Sequence, residues 1–168
     1  MIEVTLRAVR VDVGSSTPLL LLEEVHGERA LAVFIGAPEA AAIAYALQGL
    51  ETPRPMTHDL LANVVTALKA RVLAVEISDL VESTFYATLR LLGPDGDVAL
   101  SARPSDAIAL ALRVGAPMLV AEHLMVEHGR PFAGDDVDED DDEAGEDPES
   151  LVEEFRAFLD DLDPKDFS

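Results

Sequence analysis

The chain of 168 residues contains no cysteine, which excludes a disulfide framework and thiol chemistry. A reducing compartment suits that composition without being demanded by it. Basic residues are scarce as well: 12 Lys and Arg stand against 33 Asp and Glu, a formal net charge of -21. A broad basic nucleic-acid face is thereby excluded, and any phosphate recognition must come from a local site rather than a global field. Long apolar runs are missing. The stretch Pro18 to Leu22 is far too short to span a bilayer. The start Met1-Ile2-Glu3-Val4 lacks the basic and apolar regions of a signal peptide. A cytoplasmic protein with no membrane partner is expected. HExxH, P-loop, GxSxG and CxxC patterns are absent, which disfavours the familiar motif enzymes.

The charge is unevenly spread. Residues 135–149 hold eleven acidic side chains and no basic one, whereas residues 1–134 hold sixteen acids against ten Lys and Arg. The body is only mildly acidic, and the acidic run cannot bury apolar area. Three regions follow: an α+β domain over 1–132, a disordered acidic linker over 133–149 and an amphipathic helix over 150–168. In the last, Leu151, Phe155, Phe158, Leu159 and Leu162 recur at helical spacing.

Alternation predicts a strand over 2–13 with a bulge near Ala8, then a hairpin of 18–25 and 30–35 around His26-Gly27-Glu28. An Ala-rich helix is predicted over 38–48, ending at Gly49. A second helix runs from an N-cap at Thr57 to about Lys69, with Leu60, Leu61, Val64, Val65 and Leu68 as its apolar stripe. Strands are predicted over 71–80, 84–92 and 97–101, with Gly93-Pro94-Asp95-Gly96 turning the last two. Helices over about 105–113 and 120–128 complete the domain.

A shift of 65 residues lays Val33–Leu47 over Val98–Leu112, with identities at Val33/Val98, Ala37/Ala102, Ala42/Ala107, Ile43/Ile108, Ala44/Ala109, Ala46/Ala111 and Leu47/Leu112. The preceding strands align too. Two related β-β-β-α halves are therefore expected, on a mixed sheet or partial barrel with helices packed on it, and the Ala faces let the two helices approach closely.

Two Arg-Pro steps run into helix starts: Arg54-Pro55-Met56-Thr57-His58-Asp59 and Arg103-Pro104-Ser105-Asp106. Each sets a guanidinium, a hydroxyl and a carboxylate beside exposed helix-start amides, a combination suited to phosphate or carboxylate. His58 is either a general acid–base or a solvent-facing side chain. Asp59, adjacent to it on a helix, cannot face it and has a dipole-complementing role open to it. Asp106 has the same two readings, with Ser105 as N-cap. Arg103, between apolar neighbours, needs an anionic partner, which is Asp106 in a structural latch or a ligand phosphate in a site. A closed Arg103–Asp106 pair would mark the latch. An open cleft shared by Arg54, His58 and Arg103 would mark chemistry. Glu39, Asp79, Glu82 and Glu122 are further acids, and nothing in their spacing shows convergence on a divalent metal.

The segments Glu39-Ala-Ala-Ala-Ile-Ala44, Arg54-Pro-Met-Thr-His-Asp-Leu60, Thr84-Phe-Tyr-Ala-Thr-Leu89 and Arg103-Pro-Ser-Asp-Ala-Ile-Ala-Leu-Ala111 resemble the bifunctional nuclease domain family over roughly residues 1–130. The resemblance implies cleavage of RNA and DNA and carries over Glu39, Arg54, His58, Asp59, Arg103, Ser105 and Asp106. A metal-assisted phosphodiesterase is then expected. Arg54, Arg103 and Ser105 would bind substrate, His58, Asp59 and Asp106 would be catalytic, and Glu39 with Asp106 would hold Mg²⁺ or Mn²⁺. The rival is a non-catalytic regulatory or binding module with the 150–168 arm docked on a protein partner. A homodimer or larger ring is expected from the Leu/Val-rich strands.

Overall fold

The computed structural model describes residues 1–12, 14–50 and 52–131. The expected linker over 133–149 and helix over 150–168 lie outside the described residues. Two β-β-β-α units are present. The first comprises β1 (Ile2–Asp12), β2 (Thr17–Glu24), β3 (Arg29–Phe34) and α1 (Ala37–Gln48). After α2 (Thr57–Ala67), the second comprises β4 (Arg71–Val81), β5 (Thr84–Gly93), β6 (Gly96–Ala102) and α3 (Pro104–Val114). Then come β7 (Met118–Val120), α4 (Glu122–His128) and β8 (Arg130–Pro131).

The eight strands form one mixed sheet in the order β6-β5-β4-β7-β1-β2-β3-β8. β7 lies between the halves, antiparallel to β1 and parallel to β4. The sheet is therefore open, with β6 and β8 at its edges, rather than closed into a barrel. Sequence alternation did not reveal β7 and β8, because two or three residues are too few to show a period. The expected bulge is present: the β1–β2 register shifts between Leu6 and Ala8.

Leu20, Leu22, Leu31, Val75, Ile77 and Val120 from the strands are fully buried in a core covered by α1, α3 and α4. Ala40, Ala42 and Ala44 on α1 and Ala107, Ala109 and Ala111 on α3 are buried as well, and the two helices pack on each other. Small side chains permit that approach, as the repeat implied. Both helices end on left-handed glycines, Gly49 at φ 62° and Gly115 at φ 66°, where a Cβ would be strained. The hairpin between β2 and β3 closes over an ion pair, Arg29 Nη2 to Glu24 Oε1 at 2.6 Å, and Arg29 Nη1 reaches the Met125 carbonyl on α4.

Helix α2 departs from expectation. Met56, not Thr57, occupies the N-cap position, and Asp59 Oδ2 accepts the Met56 N–H at 2.9 Å. His58 is its one buried residue. The apolar stripe faces outward, with Leu60 55% and Leu68 67% exposed. α2 rests mainly on α3, with a smaller contact to β4, through Ala62 and polar contacts at its first turn. Among the described residues, no helix is long and apolar enough to cross a membrane.

Candidate active site

The N-termini of three helices bring the site together. α1 supplies Glu39 in its first turn, α2 supplies His58 and Asp59, and α3 supplies Asp106 in its first turn with Arg103 at its N-cap. Pro104 at the first helical position sets the backbone for that start and removes an amide that has no helical partner anyway. Ser105 lies one position inside the helix and is buried, so it is not the N-cap that the sequence suggested.

A continuous polar chain links the three termini. His58 Nε2 stands 3.1 Å from Asp106 Oδ1. Arg103 donates from Nε to Asp106 Oδ2 at 2.7 Å and from Nη2 to Asp106 Oδ1 at 3.0 Å. Its remaining nitrogen, Nη1, is 3.0 Å from Glu39 Oε1. The Arg103 side chain is 66% exposed, so the apolar neighbours Ala102, Ala107 and Ile108 do not give it the partly buried setting they imply. As an N-cap residue it leaves the helix start pointing outward. His58, by contrast, is buried rather than solvent-facing.

Electrostatics follow from these contacts. Burial raises the Asp106 carboxyl, but hydrogen bonds from Arg103 and His58 outweigh it and hold the group below the usual aspartate range. Arg103 is raised further above its ordinary value by its bond to Asp106 and by the nearby charges of Asp106 and Glu39. One guanidinium between two carboxylates leaves a negative charge in excess, which the positive ends of α1 and α3 offset.

Asp59 belongs to a different cluster. Arg113 Nε donates to Asp59 Oδ1, Nη1 donates to the Ala109 carbonyl at 3.0 Å and Nη2 to the Ala42 carbonyl at 3.1 Å. Arg113 thereby ties α1, α2 and α3 together. Burial raises the Asp59 carboxyl, and the Arg113 and Met56 hydrogen bonds more than reverse that. Arg113 was not among the expected site residues. Its signal was being the single charged side chain within the apolar run Ala107–Val114.

Glu39, Arg103 and Ser105 line an open cleft of about 420 Å³. Its walls come from Phe34, Ile35 and Gly36 on the β3–α1 connection and from Ser83, Thr84 and Phe85 at the β4–β5 turn. β3 and β5 are far apart in the strand order, so the sheet curls enough to bring them to one opening. The β3–α1 and β6–α3 connections are equivalent in the repeat, which puts the cleft at the junction of the two halves. Gly36 matters here because a Cβ on it would meet Glu39 Oε2 at 2.3 Å. Its absence lets the carboxylate fold back toward Arg103. Arg54 is exposed on the loop before α2, and neither it nor His58 lines the cleft.

The family model for the bifunctional nuclease domain matches residues 20–132. The chain belongs to that family. Relatives include the uncharacterized proteins MT1877 and Rv1829 of two Mycobacterium tuberculosis strains, CDC 1551 / Oshkosh and ATCC 25618 / H37Rv. Each is 44% identical over 165 residues, 98% of this chain and 97% of the relative. The similarity therefore runs past the matched domain toward the C-terminus.

A divalent cation between Glu39 and Asp106 does not suit this donor set. Both carboxylates are turned onto the Arg103 guanidinium. Among the described residues, no group of three His, Asp or Glu side chains is arranged to hold a metal.

Proposed function

We propose that the protein is a nuclease that hydrolyses phosphodiester bonds of RNA and DNA in the cleft between α1 and α3. One observation carries the reading: Glu39 and Arg103 face each other at 3.0 Å on the cleft wall, between two helix N-termini. Family membership supports it. Arg103 binds a non-bridging phosphate oxygen and stabilises charge building there in the transition state. Glu39 takes a proton from a water whose oxygen attacks phosphorus, and the phosphorus–ester oxygen bond breaks as the departing oxygen takes a proton from solvent in the open cleft. Asp106, backed by His58, holds the guanidinium in place. No step is assigned to a metal.

The test is purified protein on single-stranded RNA and DNA. Arg103→Ala is expected to slow cleavage by about 100-fold or more, and Glu39→Gln by about 100-fold. Wild-type rates in both variants would overturn the assignment.

A second reading is favoured by one feature: every nitrogen of the Arg103 guanidinium is already engaged by Asp106 or Glu39. Such a closed pair suits a latch in a non-catalytic binding module. Under that reading Arg103→Ala lowers thermal stability, and concentrated wild-type protein cuts nothing.

A further inference from the structure

The cleft has two kinds of wall. Phe34, Phe85, Val33 and Ile35 are apolar, whereas Thr17, Ser83, Thr84 and Ser105 carry hydroxyls; among the described residues Arg103 is its one cation and Glu39 its one carboxylate. A volume of about 420 Å³ falls in the ordinary range for small-molecule sites. Phe34 is 57% exposed at the end of β3. A single exposed aromatic is unremarkable on a surface. An exposed aromatic flanking a cleft that also holds a guanidinium and hydroxyls matches a ligand with a flat apolar ring, a hydroxylated middle and an anionic end.

The hydroxyl wall is held at a backbone cost. Glu82 and Ser83 turn β4 into β5 at φ 47° and φ 65°, the left-handed conformation that Asn-Gly would adopt more easily. Two consecutive non-glycine residues in that region are strained. The turn that bears the strain is the one that presents Ser83 and Thr84 to the cleft.

Resting on the nuclease reading, we propose that the cleft takes one unpaired nucleotide, with its base against Phe34 and Phe85 and its phosphate at Arg103, so that the domain selects single-stranded nucleic acid. A base inside a duplex is stacked on both faces and offers none to an aromatic side chain; an unpaired base does. Charge pushes the same way. Residues 1–134 are net acidic, and a duplex carries twice the phosphate charge per unit length of a single strand. Binding that relies on stacking and one cation tolerates this surface, whereas duplex binding across a broad face does not.

The experiment measures binding of the full-length protein to labelled phosphorothioate oligonucleotides, single-stranded and duplex, by fluorescence anisotropy. The single strand is expected to bind at least about ten-fold tighter, and Phe34→Ala to weaken it by about 5- to 150-fold, the range for loss of one stacked base. Phe34→Trp should keep affinity, and Phe34→Leu should lose most of it, since it is apolar but cannot stack. An unchanged melting temperature in each variant shows that the fold is intact. The salt dependence should be shallow, with a log–log slope near about −0.7 for one phosphate neutralised. Equal affinity for duplex and single strand, no binding to either, or an unaffected Phe34→Ala overturns the proposal. Single-strand binding without cleavage leaves it standing and removes the nuclease reading. Equal cleavage of both substrates, undiminished in Phe34→Ala, does the reverse.

Discussion

His58 and Asp106 are 48 positions apart in the chain, yet His58 Nε2 lies 3.1 Å from the Asp106 oxygen that also accepts Arg103 Nη2. The histidine does not line the cleft, so under the proposed nuclease reading it acts on Arg103 through Asp106, as a positioning residue. His58→Ala is expected to lower kcat about ten-fold, less than the loss on removing Arg103. The double variant with Arg103→Ala should be no slower than Arg103→Ala alone, because groups acting as a unit are non-additive. Additive losses would show that His58 acts elsewhere.

Acid stability should report the two aspartates. Asp59 and Asp106 are both held below the ordinary aspartate value of 3.8, with burial opposed and outweighed by Arg113 in one case and Arg103 in the other. A lowered native value means that the folded state binds fewer protons than the unfolded one. The stabilisation is therefore complete above 3.8 and lost as pH falls through the lowered native values. Chemical denaturation across that range should show the decline, and Asp59→Asn with Asp106→Asn should flatten it.

Arg113 should matter for folding more than for chemistry. Its side chain is 10% exposed, and its fork spans three helices. Arg113→Ala is expected to destabilise by about 3 kcal/mol, because Asp59 is left without its counter-charge and α2 without its tie. Arg113→Lys should recover little of that, since a single ammonium cannot reproduce the fork. The urea midpoint measures both.

Gly36 offers a test of Glu39 that leaves the carboxylate in the chain. The φ of Gly36 is −77°, which any residue adopts, so the cost of a Cβ there is steric and falls on the Glu39 carboxylate. That carboxylate ends a flexible side chain and can move. Gly36→Ala should keep its melting temperature close to wild type while cleavage drops by about ten-fold, as expected when a general base is displaced. Wild-type cleavage in Gly36→Ala would place the base elsewhere.

Metal removal separates protein-only chemistry from metal-assisted chemistry. With both carboxylates turned onto Arg103, cleavage in EDTA is expected to stay within a few-fold of that in Mg²⁺ or Mn²⁺. A strict requirement for the cation would mean that Glu39 and Asp106 release Arg103 to bind it.

Most of the architecture was legible in the residues. Strand alternation, the Ala-rich helices, the turn signals and the 65-residue repeat are local patterns, and local patterns report secondary structure directly. They yielded the α+β class, the paired β-β-β-α halves and the bulge near Ala8. The two Arg-Pro steps also pointed to helix starts that matter. What periodicity cannot report is which surface a helix meets. The apolar stripe of α2 looked like a core face and is exposed, because α2 docks on α3 through Asp59 and Arg113, not through its leucines.

The sequence by itself determined the longer elements, the duplication and the family, because each is written in the order of neighbouring residues. Only the tertiary structure decided the site. β7, three residues long, joins β1 to β4 and sets the two halves side by side. That junction turns Glu39 and Arg103 toward one cleft and His58 toward Asp106, while Arg54 stays outside the cleft lining and Asp59 goes to Arg113. Contacts of that range depend on strand order and helix docking, which no local spacing encodes.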